Sequence, residues 1–400
     1  METVGRVEDD FAFNTEVSRY PRLNRVATIY GPNGSGKSRF VEALAFMRDF
    51  VMESAGETQA GDSIDVEPFC FDSLSLEKPT QFEIVFIQKN TVYEYGFAVD
   101  NEKVWDEWLF VRPPGGRIQR WFRRSFDPSS GKHEWVFGPS FQGARNMWRT
   151  ATRPNALYVS TAAQLNSKSL YPVMEWFQNL GVYRSDEVLS WFTSEFLMNE
   201  SDGYARVIDF LNQADIQVSD IKVREEDIDL EMAGSLIRMG DMERLKNLAG
   251  QKVPRPEFGL PIENSDDLAY LDFNEQSDGT QRMYAFAGFW LDVIDHERVM
   301  VVDELDRSLH PHLAKFLIEF INRPNKTRAQ LIATTHNVVL LQNQDVLDRN
   351  QVWFMEKDAN QAASLVPLSD YRPRKKESLL RGYLGGRYGA IPNVSDPRLN

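Results

Sequence analysis

The sequence predicts an α/β chain. A parallel sheet opens near the N-terminus, a long insertion interrupts it, and strands returning near the C-terminus complete it. Three observations carry this prediction. "RVATIYGPNGSGKSRFVEALAFMRDF" (25–50) reads as a buried strand, a glycine loop and an amphipathic helix. "RVMVVDEL" (298–305) reads as a second buried strand ending in two carboxylates. Around it, "GTQRMYAFAGFWLDVI", "PHLAKFLIEFINR", "AQLIATTH" and "QVWFMEK" alternate helix and strand, the order that favours parallel pairing.

In chain order, the glycine loop fits G-x-x-x-x-G-K-[ST] and comprises Gly31, Pro32, Asn33, Gly34, Ser35, Gly36, Lys37 and Ser38. Its glycines let backbone N–H groups turn inward around phosphate oxygens with no Cβ in the way. Lys37 would reach the β- and γ-phosphates, and the Ser38 hydroxyl would hold Mg²⁺. The expected ligands are therefore ATP and Mg²⁺. Strand, loop and helix stand in the required order, with the helix N-terminus aimed at the anion.

Residues 53–65, "ESAGETQAGDSID", read as a flexible polar loop. Residues 81–111 are β-branched and aromatic with polar breaks, an antiparallel meander. Residues 120–138 read as a hairpin turning at "DPSSGK". The overlapping "VRPPGGRIQRWFRR" (111–124) mixes arginines and aromatics as nucleic-acid surfaces do, although a two-sided exposed hairpin is the preferred reading. Helical patterns run from "YPVMEWFQNL" through "GYARVIDFLNQA" to the acidic "KVREEDIDLEM" (222–232). Its Asp227-x-Asp229 has the spacing of a TOPRIM metal pair but lacks the glutamate-bearing strand expected before it, so a solvated acidic strand is the preferred reading.

Composition bounds the function. Forty-five basic and 59 acidic residues give a net charge of −14, which argues against a chain dominated by non-specific nucleic-acid binding. The single cysteine, Cys70, excludes an internal disulfide and fits a reducing cytosol. A buried structural thiol is expected there. No segment reaches 18 apolar residues, and the N-terminus "METVGRVEDDF" has no apolar core. The expectation is a cytoplasmic protein with no membrane partner. His310 and His312 flank Pro311, too few ligands for zinc.

In the second half, Asp303 would hold Mg²⁺ through water and Glu304 would orient or deprotonate the attacking water. "SDGTQRM" places Ser277, Asp278 and Gly279 at a helix N-terminus, where phosphate oxygens can bind. "LIATTHN" ends a strand at His336, which can donate to a γ-phosphate.

P-loop, long insertion, S-x-G helix, DE strand and TTH strand is the order of ABC-type ATPase heads. With "VVDELDRSLHPHL", "QVWFMEKD" and the tail "YLGGRYGAIP", the chain resembles the AAA family ATPases of bacterial abortive-infection systems over most of residues 25–392. These are RloA-like and AbiL-type proteins of the wider OLD, RecF and SMC group. The resemblance implies a P-loop NTPase fold, an ABC-type head with an antiparallel β subdomain and a mostly helical insertion. The implied boundaries are 1–160 for the N-terminal ATPase lobe, 161–270 for the insertion and 271–400 for the C-terminal lobe. Catalysis would fall to Lys37, Glu304 and His336, with Ser277, Asp278 and Gly279 facing the nucleotide of a second subunit. That implies a homodimer or higher oligomer with composite ATP sites. "DRSLHP" stands in place of the D-loop, putting His310 where many such heads carry aspartate.

Two features depart from the family. The phenylalanine-rich N-terminal strand is not evident, which leaves the base-stacking residue unassigned. The Q-loop is unmarked, and Gln81 is taken as its glutamine and third metal ligand. The resemblance also implies a separately encoded effector, a TOPRIM-like nuclease of RloB type, and a nucleic acid or phage protein as trigger. The rival reading is a RecF-like DNA-maintenance ATPase that clamps nucleic acid. A transporter subunit is disfavoured by the insertion and tail, and SMC action by the absence of sustained heptads.

Overall fold

Every side chain of Val26–Tyr30 is buried, as it must be in a parallel sheet covered on both faces. The computed structural model describes residues 1–5, 7–185, 190–227, 252–323, 327–373 and 377–392. In it Val26–Tyr30 is strand β3, preceded by a two-stranded antiparallel ribbon of β1 (Ala12–Asn14) and β2 (Arg22–Asn24). The sheet that holds β3 also contains β9 (Leu180–Tyr183), β13 (Val299–Val302), β14 (Gln330–Thr334), β15 (Val352–Lys357) and β16 (Ala363–Pro367). Its order is β16-β15-β3-β14-β13-β9. All pairs are parallel except β15 with β16 at the edge. Thus β3 lies between two strands that arrive roughly 300 residues later, with Val26 opposite Leu331 and Tyr30 opposite Phe354. The strands β3, β13 and β14 end on one edge, where ligands of open α/β sheets bind.

The helix Lys37–Glu53 joins two cores. Val41 and Ala45 pack on Leu180, Val182 and Val301 of the parallel sheet, whereas Met47, Phe50 and Val51 enter a larger aromatic core. That second core lies against a five-stranded antiparallel meander, β4 (Thr80–Gln88), β5 (Thr91–Val99), β6 (Val104–Arg112), β7 (Gln119–Asp127) and β8 (Lys132–Phe137). The meander and the hairpin agree with the sequence expectation.

One arginine of the "RWFRR" run is not a surface group. Arg124 is 1% exposed and sits 3.6 Å from the equally buried Glu107. It donates to the carbonyls of Ala156 (2.7 Å), Arg153 (3.0 Å) and Pro154 (3.1 Å). Glu107 accepts from the N–H groups of Tyr158 (2.7 Å) and Val159 (3.0 Å) and from the Tyr95 hydroxyl (3.1 Å). Burial raises the Glu107 pKa against the pull of Arg124, and the same burial brings Arg124 down to about 10. The pair fastens the segment after residue 153 to the meander, a role in which each charge needs the other.

His133 on β8 titrates in a useful range. Its Nε2–H donates to the Val104 carbonyl at 2.7 Å, and burial, then the charge of Arg124, lowers its pKa from 6.5 to about 4. The folded chain therefore binds this proton less readily than the unfolded chain. The stabilisation is complete above pH 6.5 and is lost as pH falls toward 4. A His133→Gln variant should lose less stability than wild type between pH 6.5 and 4. Thermal melts across that range check it, and parallel pH profiles for the two proteins would count against it.

Residues Ser185–Glu297 and Asp306–Ile321 form a second compact unit; Met1–Arg184, Arg298–Leu305 and the residues from Asn322 onward form the first. Within the second unit the helices Ser190–Asn199 and Asp278–Asp295 meet at Thr193, whose hydroxyl donates to the Ala285 carbonyl and accepts from the Gly288 N–H, both at 3.0 Å. The unit also contains an antiparallel sheet, β10 (Asp220–Asp227), β11 (Lys252–Pro261) and β12 (Leu268–Asp272). The mostly helical reading of the insertion named the acidic strand now seen as β10 but not the sheet it joins. Strand β10 is largely exposed and charged, which hides the alternation of a half-buried strand. Strand β11 carries Pro254 and Pro256, tolerated because β12 pairs only from Glu257 onward.

Cys70 corrects an expectation. It is exposed, in the segment between Phe69 and Phe71. Its neighbour Phe71 is itself 61% exposed.

Candidate functional site

After Tyr30 the chain turns through Gly34 (φ 73°) and Gly36 (φ 106°), both in the left-handed region that glycine enters without strain. Gly31 answers a different need. A Cβ there would lie 2.6 Å from the Met355 carbonyl and 2.6 Å from the Ser35 hydroxyl, so β15 and the loop close on each other only without a side chain. Lys37 is 6% exposed, and its ammonium sits inside the loop, donating to the carbonyls of Gly31 (2.8 Å) and Pro32 (3.1 Å). The buried Ser35 hydroxyl has no hydrogen-bond partner among the described residues. Gly36 caps the helix Lys37–Glu53 without a side-chain bond, which leaves the first-turn N–H groups for an anion. Ser38 is exposed in that first turn. A lysine held on carbonyls, an orphaned hydroxyl and an uncapped helix end fit a polyphosphate.

One hydroxyl bonds both residues of the acidic pair after β13. Thr334, at the end of β14, donates from Oγ1 to Asp303 Oδ1 at 2.6 Å, and the same oxygen accepts the Glu304 N–H at 2.7 Å. Asp303 is 4% exposed, while the Glu304 side chain is half-buried. Glu304 adopts φ 48°, a left-handed conformation that costs a side-chain-bearing residue about 1–2 kcal/mol. The bonds from Thr334 hold it there, and that turn takes the Glu304 side chain out of the strand's alternation. Asp303 can offer a metal one oxygen while the other stays on Thr334. Its neighbour can accept a proton.

His336 is exposed just beyond Thr335, whose hydroxyl accepts the Asn337 N–H at 3.0 Å. Asn337 in turn accepts the Tyr30 hydroxyl at 3.2 Å. His336 lines a cavity of about 530 Å³ with Gly31, Pro32 and Asn33. The structure thus brings the start of the glycine loop and the histidine together, and seats Asp303 and Glu304 one strand from β14. Gln81 is not among them. It lies exposed on β4 opposite Ala98 and lines neither cavity.

Ser277, Asp278 and Gly279 belong to the second unit. The Ser277 hydroxyl caps the helix Asp278–Asp295 by accepting the Thr280 N–H at 3.2 Å. Gly279 packs against the "DRSLHP" turn: a Cβ there would lie 3.1 Å from the Ser308 carbonyl. Ser277, Gly279, Ser308 and His310 border a cavity of about 490 Å³. Asp227 ends the exposed strand β10, and Asp229 lies outside the described residues. Among the described residues no group of three or more His, Cys, Asp or Glu is arranged to hold a metal ion. None of their helices is long and apolar enough to cross a membrane.

Sequence reasoning did not reach Thr334, which links the Asp303 carboxylate to the Glu304 backbone N–H. The available signal was the paired threonine at the strand end, read only as a lead-in to His336.

The family model described as "AAA domain, putative AbiEii toxin, Type IV TA system" matches residues 26–342. No curated protein matches the chain. Among solved structures, the SMC head domain from Thermotoga maritima is similar at 13% identity and a TM-score of 0.37, covering 88% of this chain and 95% of that one. The Smc head bound to the C-terminal winged-helix domain of ScpA follows at 12% identity and 0.37, covering 86% and 91%. RecF with ATP gives 12% identity and 0.28, covering 89% and 96%.

Proposed function

The chain belongs to the AAA-domain family that matches residues 26–342, and from that premise we propose that it is an ATPase whose nucleotide sites are shared between two copies. Gly31 to Ser38 bind the phosphates. Lys37 exchanges the loop carbonyls for the β- and γ-phosphates, and Ser38 and Asp303 hold Mg²⁺, which neutralises charge on the phosphate oxygens when bound. Glu304 takes the proton of the attacking water, and His336 donates to the terminal phosphate. The observation that carries this reading is the Thr334 hydroxyl bonded to both Asp303 and Glu304 at the end of the strand beside β3.

Ser277 and the N–H groups near Gly279 then meet the γ-phosphate held by the second copy. Hydrolysis removes those contacts and lets the pair open, which turns binding energy into a conformational switch. Ser277→Arg should leave ATP binding to one copy intact while blocking ATP-dependent closure and reducing hydrolysis at least about a hundredfold, the scale of a lost transition-state contact. Light scattering and phosphate release with and without ATP measure both. A Ser277→Arg protein that hydrolyses ATP normally would mean each chain works alone.

In the cell we assign the switch to anti-phage defence, with a separately encoded nuclease as effector. The putative AbiEii toxin named in the family's description supports that assignment. The chain alone should then cut neither DNA nor RNA with Mg²⁺ or Mn²⁺.

A further inference from the structure

The cavity at the glycine loop has a wall that the reading above leaves without a role. Tyr383, Ile391 and Pro392 line it together with Gly31–Asn33 and His336. These three residues come from the tail, and the tail is built to hold them there. Tyr383, in the helix Leu379–Leu384, donates its hydroxyl to the Ala390 carbonyl at 3.0 Å. Tyr383 and Tyr388 stack on Phe354 of β15 at 5.4 and 5.6 Å, and the Tyr388 hydroxyl reaches Glu377 at 3.0 Å. The chain reverses at Gly389 (φ 64°), and the Ala390 N–H donates to the Glu356 carboxylate. A Cβ on Gly389 would run into that carboxylate.

Adjacent residues of β15 therefore support both sides of the cavity. The Met355 carbonyl closes on Gly31, and the Glu356 side chain clasps the tail. We propose that residues 383–392 are a wall of the triphosphate site, positioned by Glu356, and that tail docking and nucleotide binding strengthen each other. This rests on the nucleotide reading of the glycine loop. The residues that line the cavity, Tyr383, Ile391 and Pro392, are aromatic and aliphatic, so they exclude water and place no charge beside a polyanion, while Arg387 of the same segment is paired with Glu377. In such a site the fields of Lys37 and His336 are less screened. A ligand that meets only the docked tail must stabilise docking, and docking must in turn raise its affinity.

A charge series at Ile391 separates this role from mere support of the fold. Ile391 is 37% exposed, so substitution spares the core. Ile391→Asp should weaken ATP–Mg²⁺ binding roughly tenfold or more by like-charge repulsion, whereas Ile391→Lys should bind as tightly as wild type or tighter. A residue that only supports the fold would respond alike to both. Gly389→Ala, which pushes the tail from Glu356, should lower affinity as well. Hydrogen exchange at the amides of 388–391 should slow when ATP–Mg²⁺ is added to wild type and not when it is added to Gly389→Ala. Binding is read with a fluorescent ATP analogue, with Lys37→Ala as the control. If Lys37→Ala loses binding while the Ile391 variants and tail exchange are indifferent to nucleotide, the wall is overturned and the loop reading stands. If wild type binds no nucleotide, both fall.

Discussion

Glu304→Gln should bind ATP–Mg²⁺ as wild type does and release phosphate at least about a hundredfold more slowly, the scale of a lost general base. The structure makes this substitution unusually clean. The backbone at residue 304 is held by its N–H bond to Thr334 and by the strand that precedes it, and neither involves the side chain. Glutamine keeps the volume and one acceptor oxygen, so the turn at φ 48° should persist and only the ability to take a proton is lost. Phosphate release under saturating ATP gives the rate, and equilibrium titration gives the affinity. In the two-copy scheme the same variant should accumulate the closed pair, opposite in sign to Ser277→Arg. Near-wild-type turnover would remove Glu304 from the mechanism and leave Asp303 to be tested alone.

The second large effect is expected at Lys37. Its ammonium already sits where the loop carbonyls of Gly31 and Pro32 can hold it, a position that keeps the cation within the loop before any phosphate arrives. Lys37→Ala removes it and leaves the loop with backbone N–H groups and serine hydroxyls but no cation. ATP affinity should fall about a hundredfold or more, because charge-assisted bonds to phosphate are about twice as strong as neutral ones and several are lost together. The fold should survive, since the bonds lost lie within the loop and the cores under the helix do not use this side chain. Calorimetric titration with ATP–Mg²⁺ and a thermal melt separate the two effects. Unchanged affinity would mean the loop is not a phosphate site.

What could be read from the sequence was local in origin. The glycine loop, the apolar run before Asp303 and the meander each declare themselves within a dozen residues, through positive-φ glycines, buried runs or alternation. The placement of the glycine-loop strand and the strand before Asp303 in one parallel sheet also followed, because helix–strand alternation leaves few topologies. What was not legible depends on register between distant strands. Thr334 meets Asp303 only because β14 lies parallel to β13 with Val302 opposite Ala333. Arg124 looked like a surface arginine because nothing local to it names Glu107 as partner. The tail was visible as a motif, but its contact with the loop runs through β15 and could not be placed from spacing. Gln81 was taken from its position in the chain alone, and it stands exposed on β4 opposite Ala98.

The central place of β3 has a consequence for how the protein is made. Its neighbours β14 and β15 are translated roughly 300 residues after it. At typical synthesis rates that interval is about 15–60 s. Through all of it the buried strand β3 has neither edge paired, although the glycine loop and its helix are already complete in sequence. Long-range pairing of this kind is slow and leaves an unpaired strand open to association with other chains. A nascent polypeptide interrupted before β14 would therefore display the whole phosphate-loop motif with no sheet to set its geometry. The proposed nucleotide site would take shape only once β14 and β15 are made, and a product that stops short of them is a candidate for chaperones and proteases rather than for ATP.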